Sequence, residues 1–232
     1  MRSGYSVFGK EYEIMLKNDL HAPLSVDIKL IEKMIFLDEN SYESLYSVKP
    51  ITFSMKDHEL FNFSQKFKSD KDYETIKNIL NFTSKMAKKF NVPIKEMKFG
   101  GTEKEIIKRG TDWCADMARV MAVILDCLDI TARIIYLANP KKLYNSHVVV
   151  EAFYENKFGI VDPIYGYCLY DKKPLSAMDI YRNNKYLKDY PEFYRNLYSM
   201  IAISEYNPLD KENNYIITKI NEFYMRIFNN KN

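Results

Sequence analysis

The chain has 232 residues, of which 47% are apolar and 28% are charged, and this balance is typical of a globular protein. A formal net charge of +3 is too small to indicate a nucleic acid or an anionic membrane as a partner. Three cysteines without a CxxC pair argue against a disulfide framework and a structural zinc knuckle.

The N-terminal residues do not resemble a targeting signal. Lys10, Glu11 and Glu13 interrupt them, so the continuous apolar core of a secretory signal is missing. No apolar run approaches the roughly 18 residues that a transmembrane helix needs. We therefore expect a cytoplasmic protein with neither a membrane nor a nucleic acid as a partner.

Two helices are predicted in the first ninety residues. Residues 27–37 carry apolar side chains at helical spacing, and residues 70–90 do so over a longer stretch. Asp70 or Asp72 is suited to cap the start of the second helix, and the proline of NVP ends it. We interpret residues 1–69 as an N-terminal helical extension.

The strongest element is a helix that begins at the cysteine of GTDWCADMAR. Its apolar residues recur along one face, and Asp116, Arg119 and Asp126 fall off that face. Thr111 or Asp112 is predicted to cap its N-terminus. The apolar face consists of Cys114, Met117, Ala118, Met121, Ile124, Leu125 and Leu128.

Three strands are predicted after this helix. Residues 131–138, 147–154 and 157–163 are rich in β-branched and aromatic side chains, and Glu155-Asn156 joins the last two as a two-residue hairpin turn. A helix followed by consecutive strands indicates an α+β fold with a largely antiparallel sheet. Helices at 176–186, 191–202 and 213–228 complete a C-terminal helical extension over residues 171–232.

Three residues in this frame are candidates for thiol chemistry. Cys114 lies at a helix N-terminus, where the helix dipole favours the thiolate. A two-residue turn places His147 opposite Ile164, so that Asp162 is a diagonal neighbour roughly 7–8 Å away at the backbone. His147 can then act as the base and Asp162 can orient it. The other histidines, His21 and His58, lie in poorly defined N-terminal stretches.

The remaining cysteines are weaker candidates. Cys127 lies near the C-terminal end of the same helix, where the dipole opposes a thiolate. Cys168 follows the strand pair and has no histidine beside it in sequence. We interpret both as small buried apolar residues.

The run from Gly110 to Gly166 resembles the transglutaminase-like superfamily of papain-like thiol enzymes. Cys114 matches the nucleophile at a helix start, and Leu-Asp-Ile-Thr-Ala-Arg (128–133) matches the turn from helix to strand. His147 matches the histidine that begins a strand, and Asp162-Pro163 matches the Asp-Pro of the family. The resemblance covers roughly residues 70–170.

The resemblance implies a papain-like core, with the nucleophile helix packed on an antiparallel sheet. Because the sequence shows no internal repeat and no low-complexity linker, we expect a single domain over residues 1–232. It also implies thiol acyl chemistry with Cys114, His147 and Asp162 as a triad, no cofactor and no metal. The substrate would be a peptide or protein, and Trp113 is a candidate substrate-binding residue beside the cysteine. Hydrolysis of an amide or peptide bond is the first hypothesis.

Several alternatives stay open. The acyl group could pass to an amine, as in transglutaminases, or the fold could serve as a non-catalytic module that binds peptides or proteins. The second alternative is favoured by one observation: no residue upstream of the cysteine can be assigned to stabilise the oxyanion. For single residues, Cys114 could be a buried helix-start cysteine, Asp162 a turn cap before Pro163, and Trp113 an ordinary packing anchor. A zinc site from the three triad residues is also chemically possible, but the resemblance argues against it.

Overall fold

An antiparallel sheet, covered by a long central helix, organises this computed structural model, which describes residues 35–47, 49–53, 57–89, 100–139, 142–203, 221 and 223–226. The helices are α1 (Glu39–Tyr46), α2 (His58–Gln65), α3 (Asp72–Lys89), α4 (Glu103–Arg109), α5 (Cys114–Cys127), α6 (Ala177–Arg182) and α7 (Glu192–Leu197), with a 3₁₀ turn at Asn184–Leu187. The strands are β1 (Ile35–Phe36), β2 (Ala132–Asn139), β3 (Lys142–Tyr154), β4 (Lys157–Asp162), β5 (Tyr167–Cys168), β6 (Tyr170–Asp171), β7 (Lys173–Pro174) and β8 (Met200–Ile203).

The main sheet has the strand order β1-β8-β2-β3-β4-β5, and every neighbouring pair in it is antiparallel. β6 and β7 form a separate two-stranded ribbon. The α+β class and the antiparallel sheet predicted from sequence are thereby confirmed. No helix in the described part of the chain is long and apolar enough to cross a membrane.

The hairpin between β3 and β4 has the register that the sequence predicts. Tyr154 pairs with Lys157, and Val150 pairs with Val161, so the loop is the two residues Glu155 and Asn156. Both loop residues have positive φ, at 50° and 61°, which is the backbone of a type I′ turn. In this register, the N-terminal part of β3 lies toward the C-terminal end of β4.

Helix α5 is buried on all sides. It packs on β2 and β3 on one side and on α2, α3 and α4 on the others. Asp116, Arg119 and Asp126 lie off the predicted apolar stripe, yet each is at most 1% exposed. These charged side chains can be buried in the helix because flanking segments supply hydrogen-bond partners. For example, Asp126 accepts a hydrogen bond from the Phe53 N–H at 2.8 Å.

A buried ion pair joins β2 to β3. The Arg133 Nε donates to Glu151 Oε2 at 2.8 Å, and both side chains are buried. The guanidinium also lies over the rings of Tyr46 and Phe158, with distances of 4.4 and 4.0 Å from its carbon to the ring centroids. Glu151 accepts further bonds from the Tyr46 hydroxyl and the Ala177 N–H, so the pair ties α1 and α6 to the sheet.

Two helix predictions are wrong in part. Residues 27–37 were expected to be helical, but Ile35–Phe36 is a strand and the residues before 35 lie outside the described ones. The predicted helix at 191–202 ends at Leu197 and is followed by β8, which lies between β1 and β2 in the sheet. Both terminal extensions therefore contribute strands to the main sheet. The sequence did not show this, because a short apolar run such as MIAI is compatible with either a helix or a strand until its pairing partners are known.

The remaining boundaries shift by a few residues. The helix predicted at 176–186 divides into α6 and the 3₁₀ turn. Strand β3 begins at Lys142, five residues before its predicted start. In the helix predicted at 213–228, residues 221 and 223–226 are helical and the others lie outside the described residues.

Candidate active site

Cys114 is the first residue of α5 and is half-buried. The N-cap is Trp113, whose side chain makes no capping bond, so the prediction of Thr111 or Asp112 as N-cap is wrong. Thr111 instead accepts the Trp113 N–H at 3.1 Å and shapes the entry into the helix. The N–H groups of a first helical turn have no partner within the helix, which leaves them available beside the Cys114 sulfur.

Charged side chains hold the start of α5 against the preceding loop. Asp116 accepts the Gly100 N–H at 3.1 Å and an Arg109 guanidinium N–H at 2.8 Å. Arg119 pairs with Glu103 at 3.1 Å, and both are buried. Burial raises the pKa of Asp116, while Arg119 and Arg109 oppose that rise. This network fixes the helix end that presents the cysteine.

His147 and Asp162 meet at the end of the hairpin. The distance between His147 Nε2 and Asp162 Oδ2 is 2.8 Å, and the two residues are 6% and 0% exposed. The second carboxylate oxygen of Asp162 accepts the N–H groups of Ile164 and Tyr165 at 3.0 and 3.2 Å. The carboxylate is therefore held by the turn that follows β4, and one of its oxygens is aimed at the imidazole.

The imidazole of His147 joins the carboxylate to the cysteine. Burial alone would lower the pKa of His147, but hydrogen bonds with Asp162 and Cys114, together with their negative charges, raise it from 6.5 to about 10. Because Asp162 occupies Nε2, Nδ1 is the ring nitrogen that can face the sulfur. The structure thus brings Cys114, His147 and Asp162 into one connected group.

The raised pKa of His147 predicts a pH dependence of stability. The folded chain holds this proton up to about pH 10, whereas an unfolded histidine loses it near 6.5. The resulting stabilisation is complete below pH 6.5 and is lost as the pH rises through about 10. Between pH 8 and 10 we expect the free energy of unfolding to fall by about 2 kcal/mol more in the wild type than in His147→Asn.

Urea titrations of both proteins at each pH measure this difference. The difference between the two proteins excludes the contributions that other groups titrating in the same range make to the free energy of unfolding. Identical pH dependence in the two proteins would contradict the assignment of a protonated His147 in the folded state.

Aromatic rings border the imidazole. The ring of Tyr165 meets the His147 ring edge to face, with centroids 5.3 Å apart. Nothing in the sequence IYGY indicates that the ring of Tyr165, rather than that of Tyr167, contacts the histidine. Trp113, the predicted substrate-binding residue, is partly buried and packs against the hydrophobic core.

The other two cysteines lie in less favourable surroundings. Burial raises the pKa of Cys127 to about 11. Burial also raises the pKa of Cys168, whose sulfur lies 3.6 Å from the Tyr154 hydroxyl. Both shifts disfavour the thiolate, so Cys114 is the cysteine best placed for nucleophilic chemistry. Within the described residues, no group of three or more His, Cys, Asp or Glu side chains is arranged to hold a metal ion.

Comparisons with known proteins give one distant similarity. No family model matches the sequence, and no curated protein matches it. A solved structure that bears the name "Putative Cysteine Protease", from Cytophaga hutchinsonii, is 19% identical with a TM-score of 0.38. The match covers 55% of this chain and 43% of that one, so the chain spans less than half the length of that protein. This likeness does not establish a family.

Proposed function

We propose that the protein is a thiol-dependent acyl-transfer enzyme that cleaves an amide or peptide bond through an acyl-enzyme on Cys114. The observation that carries this proposal is the buried His147–Asp162 contact of 2.8 Å, with Cys114 close enough to the same imidazole to raise its pKa. A nucleophile, a base and a group that orients the base are what covalent acyl transfer requires.

In the first half of the reaction, the Cys114 thiolate attacks the carbonyl carbon of the substrate and forms a C–S bond. The imidazolium of His147, which stabilises the thiolate before the attack, gives its proton to the leaving amine as the C–N bond breaks. Asp162 keeps Nε2 engaged and so holds Nδ1 toward the sulfur and the leaving group.

In the second half, water attacks the thioester carbon while His147 accepts one of its protons. The C–S bond then breaks, the carboxylic acid leaves, and the imidazolium–thiolate pair returns. During both attacks, negative charge develops on the carbonyl oxygen. The backbone N–H of Cys114, at the positive end of α5, is one candidate donor for that oxygen.

Mass spectrometry of a peptide-library digest tests the proposal. The library is incubated in water enriched in ¹⁸O, so that hydrolysis gives ¹⁸O-labelled carboxylates, whereas transfer to an added amine gives an unlabelled amide. The wild type should yield labelled products and an acid-quenched thioester on the Cys114 peptide. Cys114→Ala should yield neither, and Cys168→Ala, which removes another half-buried thiol, should retain both.

Labelled products that persist in Cys114→Ala would contradict the proposal. The proposal would also be contradicted if the library stayed intact and Cys114 reacted no faster than a free thiol. That result would favour a module that binds peptides without cleaving them.

A further inference from the structure

An exposed aromatic ring contacts the imidazole, and a second exposed ring packs against the first. Tyr165 is 39% exposed and contacts His147, and Phe193 on α7 is 54% exposed. Their ring centroids are 5.6 Å apart and tilted at 57°, so they form one continuous apolar surface. Phe193 has the largest exposed fraction among the exposed large hydrophobic residues in the described part of the chain.

One buried tyrosine and two half-buried tyrosines support this surface. The Tyr194 ring, which is fully buried, packs edge to face on Tyr165 at 5.2 Å. Tyr167 stacks on Tyr165 at 5.9 Å and contacts Tyr190 at 4.8 Å. Because the rings beneath it are packed, Tyr165 is already ordered before a ligand arrives, and little rotamer entropy is lost on binding.

The surface is connected to the cysteine through His147, because the Tyr165 ring contacts this imidazole and Cys114 interacts with it. Burial raises the pKa of Tyr165, and the charges of Asp162 and Cys114 raise it further. The Tyr165 ring therefore lies within electrostatic reach of the Cys114 sulfur as well as in contact with the histidine. A substrate held on Cys114 would have its neighbouring groups close to this ring.

The local charge selects the kind of group that binds here. Aromatic faces also attract cations, but the Tyr165 ring already contacts His147, whose raised pKa favours the imidazolium at neutral pH. The nearest carboxylate, Asp162, is engaged by His147, Ile164 and Tyr165. A second cation would be repelled by the imidazolium, so an uncharged ring is the better occupant.

We infer that Tyr165 and Phe193 form a substrate subsite that binds an aromatic side chain next to the amide bond attacked by Cys114. The inference rests on the proposed function and narrows its substrate class to amides that carry a phenyl or phenol ring beside the reacting carbonyl. Phe193, the outer and more exposed ring, is the residue that sets this preference.

Three alkylating reagents test the subsite without knowledge of the natural substrate. Iodoacetamide has no substituent on its amide nitrogen. N-phenethyl iodoacetamide carries an aromatic ring there, and N-(2-aminoethyl) iodoacetamide carries an ammonium group. In each reaction the sulfur attacks the methylene carbon, the C–S bond forms and iodide leaves. Rates at Cys114 are measured by peptide mapping and divided by the rates of the same reagents with glutathione.

We expect the corrected rate with the aromatic reagent to exceed that with iodoacetamide about tenfold, and the ammonium reagent to be no faster than iodoacetamide. Phe193→Ser should remove most of the aromatic preference. The matched control is Phe61→Ser, which removes another exposed phenylalanine on α2, a helix that packs near Val123 and Cys127 at the other end of α5. It should keep the preference.

The outcomes separate the subsite from the proposed function. Fast iodoacetamide labelling of Cys114 without an aromatic preference would overturn the subsite and leave the thiol chemistry standing. A preference for the ammonium reagent, or an aromatic preference that survives Phe193→Ser, would also overturn it. Labelling of Cys114 no faster than that of glutathione by all three reagents would overturn the proposed function and the subsite together.

Discussion

Replacing His147 by asparagine is expected to make the alkylation of Cys114 strongly pH-dependent. In the wild type, the raised pKa of His147 keeps an imidazolium beside the sulfur across neutral pH, so we expect the iodoacetamide rate to change by less than about twofold between pH 6 and 8. Without the imidazolium, an ordinary thiol gains reactivity roughly tenfold per pH unit over this range. At pH 6 the variant should therefore react more than about tenfold slower than the wild type.

The measurement is a set of second-order rates for the Cys114 peptide at each pH. The control is His58→Asn, which replaces another histidine, exposed at the start of α2, and should leave the wild-type profile unchanged. His147→Asn should remain folded, because the Ile164 and Tyr165 N–H groups still hold Asp162. Far-ultraviolet circular dichroism checks this. Superimposable profiles for wild type and His147→Asn would contradict the cysteine–histidine pair.

Replacing Arg133 by methionine is expected to lower the free energy of unfolding by about 3–5 kcal/mol. Methionine fills much of the space over Tyr46 and Phe158, but it leaves the Glu151 carboxylate buried without its cation. An uncompensated charge in the interior costs more than the lost contact itself. The Glu151→Gln change in the same background should recover part of the loss, because it removes that charge.

Urea unfolding at pH 7 measures these values. Arg182→Met is the matched control, because Arg182 also pairs with a glutamate, Glu39, but both side chains are well exposed, at 37% and 62%. A surface pair of this kind contributes less than about 1 kcal/mol. An equal effect of the Arg133 and Arg182 replacements would contradict the assignment of Arg133–Glu151 as the buried tie between the helices and the sheet.

The contact between His147 and Asp162 could be predicted because it depends on local geometry. A two-residue turn fixes the register of a hairpin, and register fixes which side chains share a face. The start of α5 was likewise predictable from its apolar period, which begins at Cys114. These signals lie within one hairpin or one helix, where sequence spacing and spatial spacing are directly related.

Features that depend on distant segments could not be predicted in this way. β8 pairs with β2, which lies more than sixty residues earlier in the sequence, and nothing within Met200–Ile203 indicates that pairing partner. The burial of Asp116 and Arg119 follows from Gly100 and Glu103, which lie on a preceding loop and helix. The contact of Phe193 with Tyr165 likewise arises only when α7 folds over the turn after β4. In each case, the tertiary partner rather than the local pattern decides the environment.

The protonation state of His147 tests the central claim most directly. Nuclear magnetic resonance of protein labelled with ¹³C and ¹⁵N in histidine follows the ring signals from pH 5 to 11, and His147→Asn assigns the resonance. We expect His147 to remain an imidazolium through about pH 9 and to titrate near 10, with a lower midpoint in Cys114→Ala because the sulfur contributes to the shift. A midpoint close to 6.5 that does not move in Cys114→Ala would contradict the cysteine–imidazolium pair and the acyl-transfer chemistry built on it.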